Sequence, residues 1–507
     1  MIAGATALAA VPLLASCAVG PDFRQPVPPD ITRYTREPLA ARVSATAAPA
    51  GQSQHFAVGR DIPQDWWTLF KSPALNAVIE RSLQNNPNLQ AALATLRAAR
   101  QAVEAQKGKF FPFVQANFNP TRQRTATVLS PVPASGASIF DLDTAQLTVS
   151  YTFDVWGLNR RTVESLEALA DVETFQVEAA YLTLTSNVVV AAITEASLRG
   201  QIDATDRLIA TNSKMLETLR QQLNAGYTDR GAVAAQESAL AQAKATLPPL
   251  RKALEQQRDL LAALAGGYPG EGPRQTFQLA DLHLPSVLPV SLPSQLIEQR
   301  PDVQAAEAQL HSASAQIGIA TANLLPTFTI NADAGFMNTA LAHLLAPQNF
   351  FWDLAGNATH TVFDAGTLLH QLQGAKDVYQ AAAWTYQGTV IGAVQNVADT
   401  LRALQNDADA TRAALDFQRA AKTSFYLANQ QMQSGNANVL LLLNAQQSYL
   451  QANIQVVEAR AARLADTAAL FQALGGGWWN RAAPPAEQVL DVGTGQSAPL
   501  VERHDGF

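Results

Sequence analysis

Arg300-Pro301-Asp302-Val303-Gln304-Ala305-Ala306-Glu307, running on to Leu324-Leu325-Pro326, repeats something the chain has already said once. Asn86-Pro87-Asn88-Leu89-Gln90-Ala91-Ala92, running to Phe110-Phe111-Pro112, aligns with it at one constant offset and without a gap. Pro87 falls on Pro301, Gln90 on Gln304, Ala94 on Ala308, Leu96 on Leu310, Pro112 on Pro326 and Asn117 on Asn331. Downstream, Phe153-Asp154 matches Phe363-Asp364, each followed by a glycine (Gly157, Gly366). Asn187-Val188 then matches Asn396-Val397, and Ala235-Gln236-Glu237-Ser238 matches Ala445-Gln446-Gln447-Ser448. Self-similarity of this kind makes the chain two copies of one unit of roughly 200 residues.

Within each copy the hydrophobic period changes in the same order. A short helix leads into two strand candidates. Val114, Ala116 and Phe118 alternate with Gln115, Asn117 and Asn119, and Leu147, Val149, Tyr151 and Phe153 alternate with Thr148, Ser150, Thr152 and Asp154. In the second copy Phe328, Ile330, Ala332, Ala334 and Phe336 alternate with Thr327, Thr329, Asn331 and Asp333, and a weaker partner strand runs from about Phe351 to Phe363. Period-2 alternation predicts strands with one apolar and one polar face. Long proline-free stretches follow, about Asn159 to Leu223 and Leu368 to Met432. A helix of roughly 65 residues is about 100 Å long, so such helices must pack lengthwise on neighbours. Val390, Val394, Val397, Leu401 and Leu404, and Leu440, Leu443, Gln447, Leu450, Ile454, Val457, Ala461, Leu464, Ala468 and Phe471, step by three and four as coiled-coil seams do. The long helices end at Asn224-Ala225-Gly226-Tyr227 and at Ser434-Gly435-Asn436, with glycine as the stop signal. Pro248-Pro249 is expected to kink the first return helix.

The expected organisation is a lipoprotein signal peptide at 1–16, a lipidated N-terminal tether at 17–60 and a first repeat at 61–265, with its β-hairpin at about 112–154 and helical hairpin at about 158–265. A linker at 266–293 joins it to a second repeat at 294–476, with a β-hairpin at about 326–364 and a helical hairpin at about 366–474. A polar tail occupies 477–507.

Of 507 residues 48% are hydrophobic, and the net charge of −7 with no basic block argues against a nucleic-acid partner. The first sixteen residues, from Ile2-Ala3-Gly4 to Ser16, are an apolar run that reads as the core of an export signal, and it ends in Leu14-Ala15-Ser16-Cys17, with the one cysteine, which resembles a bacterial lipobox; the other reading is a buried free thiol in a short helix. Ala18 after the cysteine fits outer-membrane sorting, and the lack of Lys or Arg before the run leaves open a start upstream of Met1. No later stretch reaches the about 18 apolar residues of a transmembrane helix, so any bilayer crossing must be made by strands. Four strands cannot close a barrel, which needs about eight or more, and an open sheet cannot leave its edges in lipid. Three chains would supply twelve.

Cys17-Ala18-Val19-Gly20-Pro21-Asp22-Phe23, Trp66-Trp67, Leu292-Pro293-Ser294 leading into Arg300-Pro301-Asp302-Val303, and the two Phe-Asp/Gly junctions resemble the TolC-like outer-membrane efflux factors, in their lipoprotein branch (NodT- and OprM-like). The resemblance covers the chain from about Cys17 to Trp479. It implies a mixed α+β membrane protein: a homotrimer whose twelve-stranded outer-membrane β-barrel, four strands per chain, continues into a long α-helical coiled-coil periplasmic barrel, with an equatorial belt of linkers and termini. It implies a passive tunnel for small drug-like or toxic compounds, partnered by a periplasmic membrane-fusion adaptor, an inner-membrane efflux pump and outer-membrane lipid.

In that family the helical turns nearest the inner membrane form an iris and meet the adaptor; the matching turns here are Gly226 to Ala235 and Gly435 to Ala445. Some relatives carry carboxylates and an arginine at the constriction, whereas this chain has Ala232, Ala235, Ala437, Leu441 and Asn444 at the corresponding places. Leu441 from three subunits would make a hydrophobic constriction that gates by dewetting; alternatively Leu440 to Leu443 pack between helices. Asp229 and Arg230 either bridge subunits or are solvated loop charges.

No enzyme is expected. The seven histidines lack ligand spacing, and Gly266-Gly267-Tyr268-Pro269-Gly270 lacks the Lys-Ser/Thr of a phosphate loop. No cofactor is expected beyond the covalent lipid on Cys17. The competing class is a lipid-anchored periplasmic coiled-coil scaffold or adaptor without a pore, which would not account for two alternating hairpins placed alike in both copies.

Overall fold

The computed structural model describes residues 18–31, 33–38, 42–43, 52–124, 139–434 and 439–481. Cys17, Gly435 and Ala437, with the loop 125–138 and the tail from 482, lie outside the described residues. The chain divides into two compact units. One comprises the described residues of Met1–Pro26, Arg97–Val172 and Ala306–Tyr386; the other comprises those of Val27–Leu96, Glu173–Ala305 and Gln387–Phe507.

Helices α1 (Pro73–Asn85) and α2 (Pro87–Lys107) meet at Asn86. Its side-chain oxygen accepts from Asn88 and Leu89 backbone N–H groups, capping α2, while its amide donates to the Leu264 carbonyl at 3.0 Å. Asparagine before proline is thus a start signal, since the cap satisfies N–H groups that Pro87 cannot help. In the second copy Pro301 opens α7 (Pro301–Ala322), and Arg300 takes the place of the asparagine.

Each Phe-Asp/Gly junction caps a long helix. Asp154 accepts from the N–H groups of Asn159 and Arg160 at the start of α3 (Leu158–Asn224), with Gly157 at φ +79°. Asp364 accepts from Gly366 and Leu368 at the start of α8 (Thr367–Gln433), with Gly366 at φ +87°. The backbone N–H of Leu368, with those of its neighbours, holds the Asp364 carboxyl below the usual carboxylate range. The positive φ at both glycines explains the residue type.

The first unit holds a four-stranded antiparallel sheet in the order β2-β3-β5-β6, formed by β2 (Phe113–Arg124), β3 (Ile139–Phe153), β5 (Thr327–Asn338) and β6 (Phe350–Thr359). The first strand runs further than its alternation predicts: β2 passes through Pro120, tolerated because β2 is an edge strand. The last strand ends at Thr359 and does not reach Phe363, which is exposed, because Asp364 has already turned to cap α8.

The second unit carries a feature absent from the expected tether and linker. Strands β1 (His55–Val58) and β4 (Val287–Val290) form a short parallel sheet, and Leu288 and Val290 are buried. The first return helix breaks at Thr246 between α4 (Arg230–Ala245) and α5 (Leu247–Leu264), ahead of Pro248. Proline is accepted in a first helical turn, so the interruption falls before it. Residues at the start of the expected tail pack on the second unit. Gly475, Gly476 and Gly477, all at positive φ, fold the chain back, and the Trp478 indole donates to the Gln299 carbonyl at 2.7 Å. A Cβ at Gly475 would lie 2.5 Å from the Gln299 oxygen, so only glycine fits.

Long-helix packing follows the expected step on α8, where Val390, Val397, Leu401 and Leu404 are buried. On α9 (Val439–Ala473) the step holds from Leu464 to Phe471 but is displaced in the first half. There Leu442, Ala445, Gln446, Ala452 and Val456 are buried, while Leu440 and Gln447 are exposed. Small side chains let helices approach closely, so Ala445 and Ala452 share the seam with Leu442 and Val456. Helix α3 is long and apolar enough in composition to cross a membrane, but 61% of its most apolar window is buried among other helices, with Val188, Val189, Ala192 and Ile193 in the core.

Candidate functional site

The strand register assigns every side chain of the sheet to one of two faces. Val114, Ala116 and Phe118 on β2 pair with Val149, Leu147 and Ala145 on β3, which pair with Ala332, Ala334 and Phe336 on β5, which pair with Leu354, Trp352 and Phe350 on β6. That face is apolar across all four strands, and Trp352 is 72% exposed on it. The opposite face is polar and internally bonded. Ser150 donates to Asn331 at 2.7 Å, Thr152 meets Thr329 at 3.1 Å, and Asp333 accepts from Gln146 and Thr148. Asn117 extends the network to β2 by donating to Thr148 at 3.3 Å. Among the described residues β2 and β6 each pair on one side only.

The N-terminal segment is fastened in the same unit. Arg161 on α3 donates to the Val19 carbonyl and pairs with Asp22 at 2.8 Å, Phe23 stacks on His311 at 4.3 Å, and a Cβ on Gly157 would meet Ala18 at 2.7 Å. Ala18, the residue after Cys17, therefore lies against the junction of β3 and α3.

In the second unit the turn after α3 has Gly226 at φ +76°, and Asp229 caps α4 by accepting from Ala232 at 2.8 Å. Both Asp229 and Arg230 are exposed; among the described residues no ion pair joins either to another group. Val233 and Leu240 of α4 close on Leu216 and Leu219 of α3. Where α9 begins, Leu442 is fully buried against Ala428 and Ala445, whereas Leu441 is 46% exposed and Asn444 is exposed.

Sequence reasoning missed the clamps that give the opening motif its role. The Arg300 guanidinium forks onto Asp302 at 2.9 and 2.7 Å, and its remaining nitrogen donates to the Ala473 carbonyl at the end of α9 at 2.8 Å. Arg463, fully buried on α9, donates to Gln54 and to the Gln52 carbonyl. Beside it, burial and the hydrogen-bonded Asp466 carboxyl push Asp407 up to about 7, against the pull of Arg463. An arginine before Pro-Asp and the pair Arg460 and Arg463 in an alanine-rich helix were the available signals.

A sheet with one apolar exposed face, one polar face and unmet edges, in a chain that also builds helices of 67 residues, defines a membrane channel subunit. The sequence profile of the outer membrane efflux protein family matches residues 78–267 and again 292–476, and the chain belongs to that family. It is an outer-membrane channel component of a tripartite efflux system, located in the outer membrane of a Gram-negative bacterium. The chain is 30% identical over 454 residues to the pyoverdine export outer membrane protein OpmQ of Pseudomonas aeruginosa, covering 86% of this chain and 92% of that one. It is 27% identical over 480 residues to the toluene efflux pump outer membrane protein TtgC of Pseudomonas putida, covering 94% and 96%. The open-state structure of the MtrE outer membrane channel of Neisseria gonorrhoeae superposes with a TM-score of 0.77 at 26% identity, covering 91% of this chain and 98% of that one.

Proposed function

We propose that three copies of this chain close a twelve-stranded barrel that serves as a passive conduit for small drug-like or toxic compounds, fed by a periplasmic adaptor and an inner-membrane pump. The observation that carries the reading is the pair of unmet edges on a sheet with an apolar face. Each unsatisfied backbone group costs several kcal/mol in hydrocarbon, so β2 and β6 must pair with other strands. Two copies would supply eight strands, whose interior side chains fill. Three leave room for water, which a face of Gln, Asn, Thr, Ser and Asp requires.

The exposed Leu441 at the start of α9 fits a hydrophobic constriction, with Asn444, Asp229 and Arg230 near helix ends and Gly226 in the turn after α3. The position of Ala18 against the end of a membrane strand supports a lipid on Cys17 entering the same bilayer. Single-channel conductance of the detergent-extracted protein in a planar bilayer tests the reading, wild type beside Leu441→Ala. Discrete steps that grow in the variant are expected. Steps that do not change remove Leu441 from the constriction, and no steps together with a monomeric mass by light scattering would return the chain to the scaffold class.

A further inference from the structure

A cleft of about 540 Å³ opens between α3, α4 and α9. Its walls are mixed: Leu208, Leu443, Leu450 and Ile454 supply an apolar patch, and uncharged polar side chains such as Gln242 and Gln451 supply much of the rest. Two of the polar side chains stand apart from the others. Gln446 and Asn212 are each 2% exposed and line the cleft, yet among the described residues neither the Nε2 nor the Oε1 of Gln446 has a hydrogen-bond partner, nor has the Oδ1 of Asn212. The repeat supplies an internal comparison. Gln236, which occupies the matching position in the first copy, is equally buried, but its Nε2 donates to the Asn212 carbonyl at 3.1 Å. One copy's glutamine has its Nε2 tied to a helix backbone and only its Oε1 unmet, while the other's presents both ends of its amide bare to the cleft.

We propose that this cleft binds a small neutral molecule that carries a carboxamide or lactam edge on an apolar body. A primary amide shows one donor and one acceptor side by side, and its complement is an acceptor beside a donor in the same plane. Buried polar groups without partners are costly, so a ligand that meets both is favoured over one that meets a single group. Charge selects against the alternatives: no Lys or Arg lines the cleft, and its one acid, Glu458, is exposed at one end. The volume lies in the range of small-molecule sites, about 300–1,000 Å³. Because its walls come from the return helices of both copies, an occupant touches α4 and α9 together and holds their spacing.

The channel reading requires no such site, and the test reads binding and not transport, so the two stand or fall separately. Benzamide and acetophenone have similar aromatic bodies, but only benzamide adds a donor beside its acceptor. Both are titrated into the detergent-purified full-length protein by saturation-transfer NMR. Saturable benzamide binding at least about tenfold tighter than acetophenone is expected, the factor that one lost hydrogen bond to a buried group commonly costs. Gln446→Met, of similar length but apolar, should erase the preference, and Ala239→Leu should fill the cleft and abolish binding of both. Equal binding of the two probes, no saturable binding, or a preference that survives Gln446→Met would overturn the proposal. Should Gln446→Met fail to fold, undiminished benzamide binding by Ala239→Leu overturns it alone.

Discussion

Gly335 lies inside β5, between Gln146 of β3 and Phe351 of β6. A Cβ built there would stand 2.3 Å from the Ala145 carbonyl oxygen and 2.6 Å from the Gln146 Cα, about 1 Å inside ordinary van der Waals contact. The obstacles include backbone, so no rotamer change relieves them. In Gly335→Ala the β3–β5 ladder must part locally. Overpacking of this kind costs about 1–3 kcal/mol, and loosening two flanking ladder bonds adds roughly 1 kcal/mol each. A loss of about 3–5 kcal/mol is expected, roughly a hundredfold or more in the unfolding equilibrium. Gly356, in the adjacent strand β6, is the control, because nothing lies within 4 Å of its Cβ position. Urea unfolding in detergent, followed by heat-modifiable migration on gels, should show a lowered midpoint for Gly335→Ala and none beyond about 0.5 kcal/mol for Gly356→Ala. An unchanged Gly335→Ala midpoint, or an equal shift in both variants, would refute the steric account of the sheet.

Asp154→Ala and Asp364→Ala each remove a helix cap and should cost about 1–2 kcal/mol; as the two share no partner, the double variant should sum them in denaturant titrations followed by circular dichroism. Arg300→Met frees the Ala473 carbonyl and Asp302 and should cost about 2–4 kcal/mol, with Arg300→Lys restoring only part because an ammonium cannot fork; Trp478 fluorescence and protease release of the C-terminal segment report the loss. Asp407, raised from 3.8 to about 7 in the folded state, keeps its proton longer there than when unfolded, so stability falls as pH rises through that window, by at most about 1.4 kcal/mol per pH unit. Asp407→Asn, whose amide can donate to Asp466 at any pH, should flatten that slope, and an unchanged slope in pH-dependent melts would show that the pair does not share a proton.

Much of the architecture was legible. The duplication announced two hairpins and two helical hairpins, and the faces of β3 and β5 followed residue by residue from their alternation. The Phe-Asp/Gly junctions were visible as motifs, but their work as caps was not, since a cap is defined by where the following N–H groups point. The seam at the start of α9 was misplaced because large residues attract attention in a sequence, whereas Ala445 and Ala452 are what two close backbones can bury. Leu441 was named from its sequence position, and its exposure follows from Leu442 taking the buried side.

The sequence by itself determined what depends on neighbours along the chain: period, propensity, turns and the repeat. Only the tertiary structure decided what depends on residues far apart. Arg300 is held across 173 residues by the Ala473 carbonyl, β1 pairs with β4 rather than remaining tether and linker, and Gln446 is left bare while its twin Gln236 is bonded. Periodicity specifies which face of an element turns inward, but the partner waiting there is chosen by packing, which no local pattern encodes.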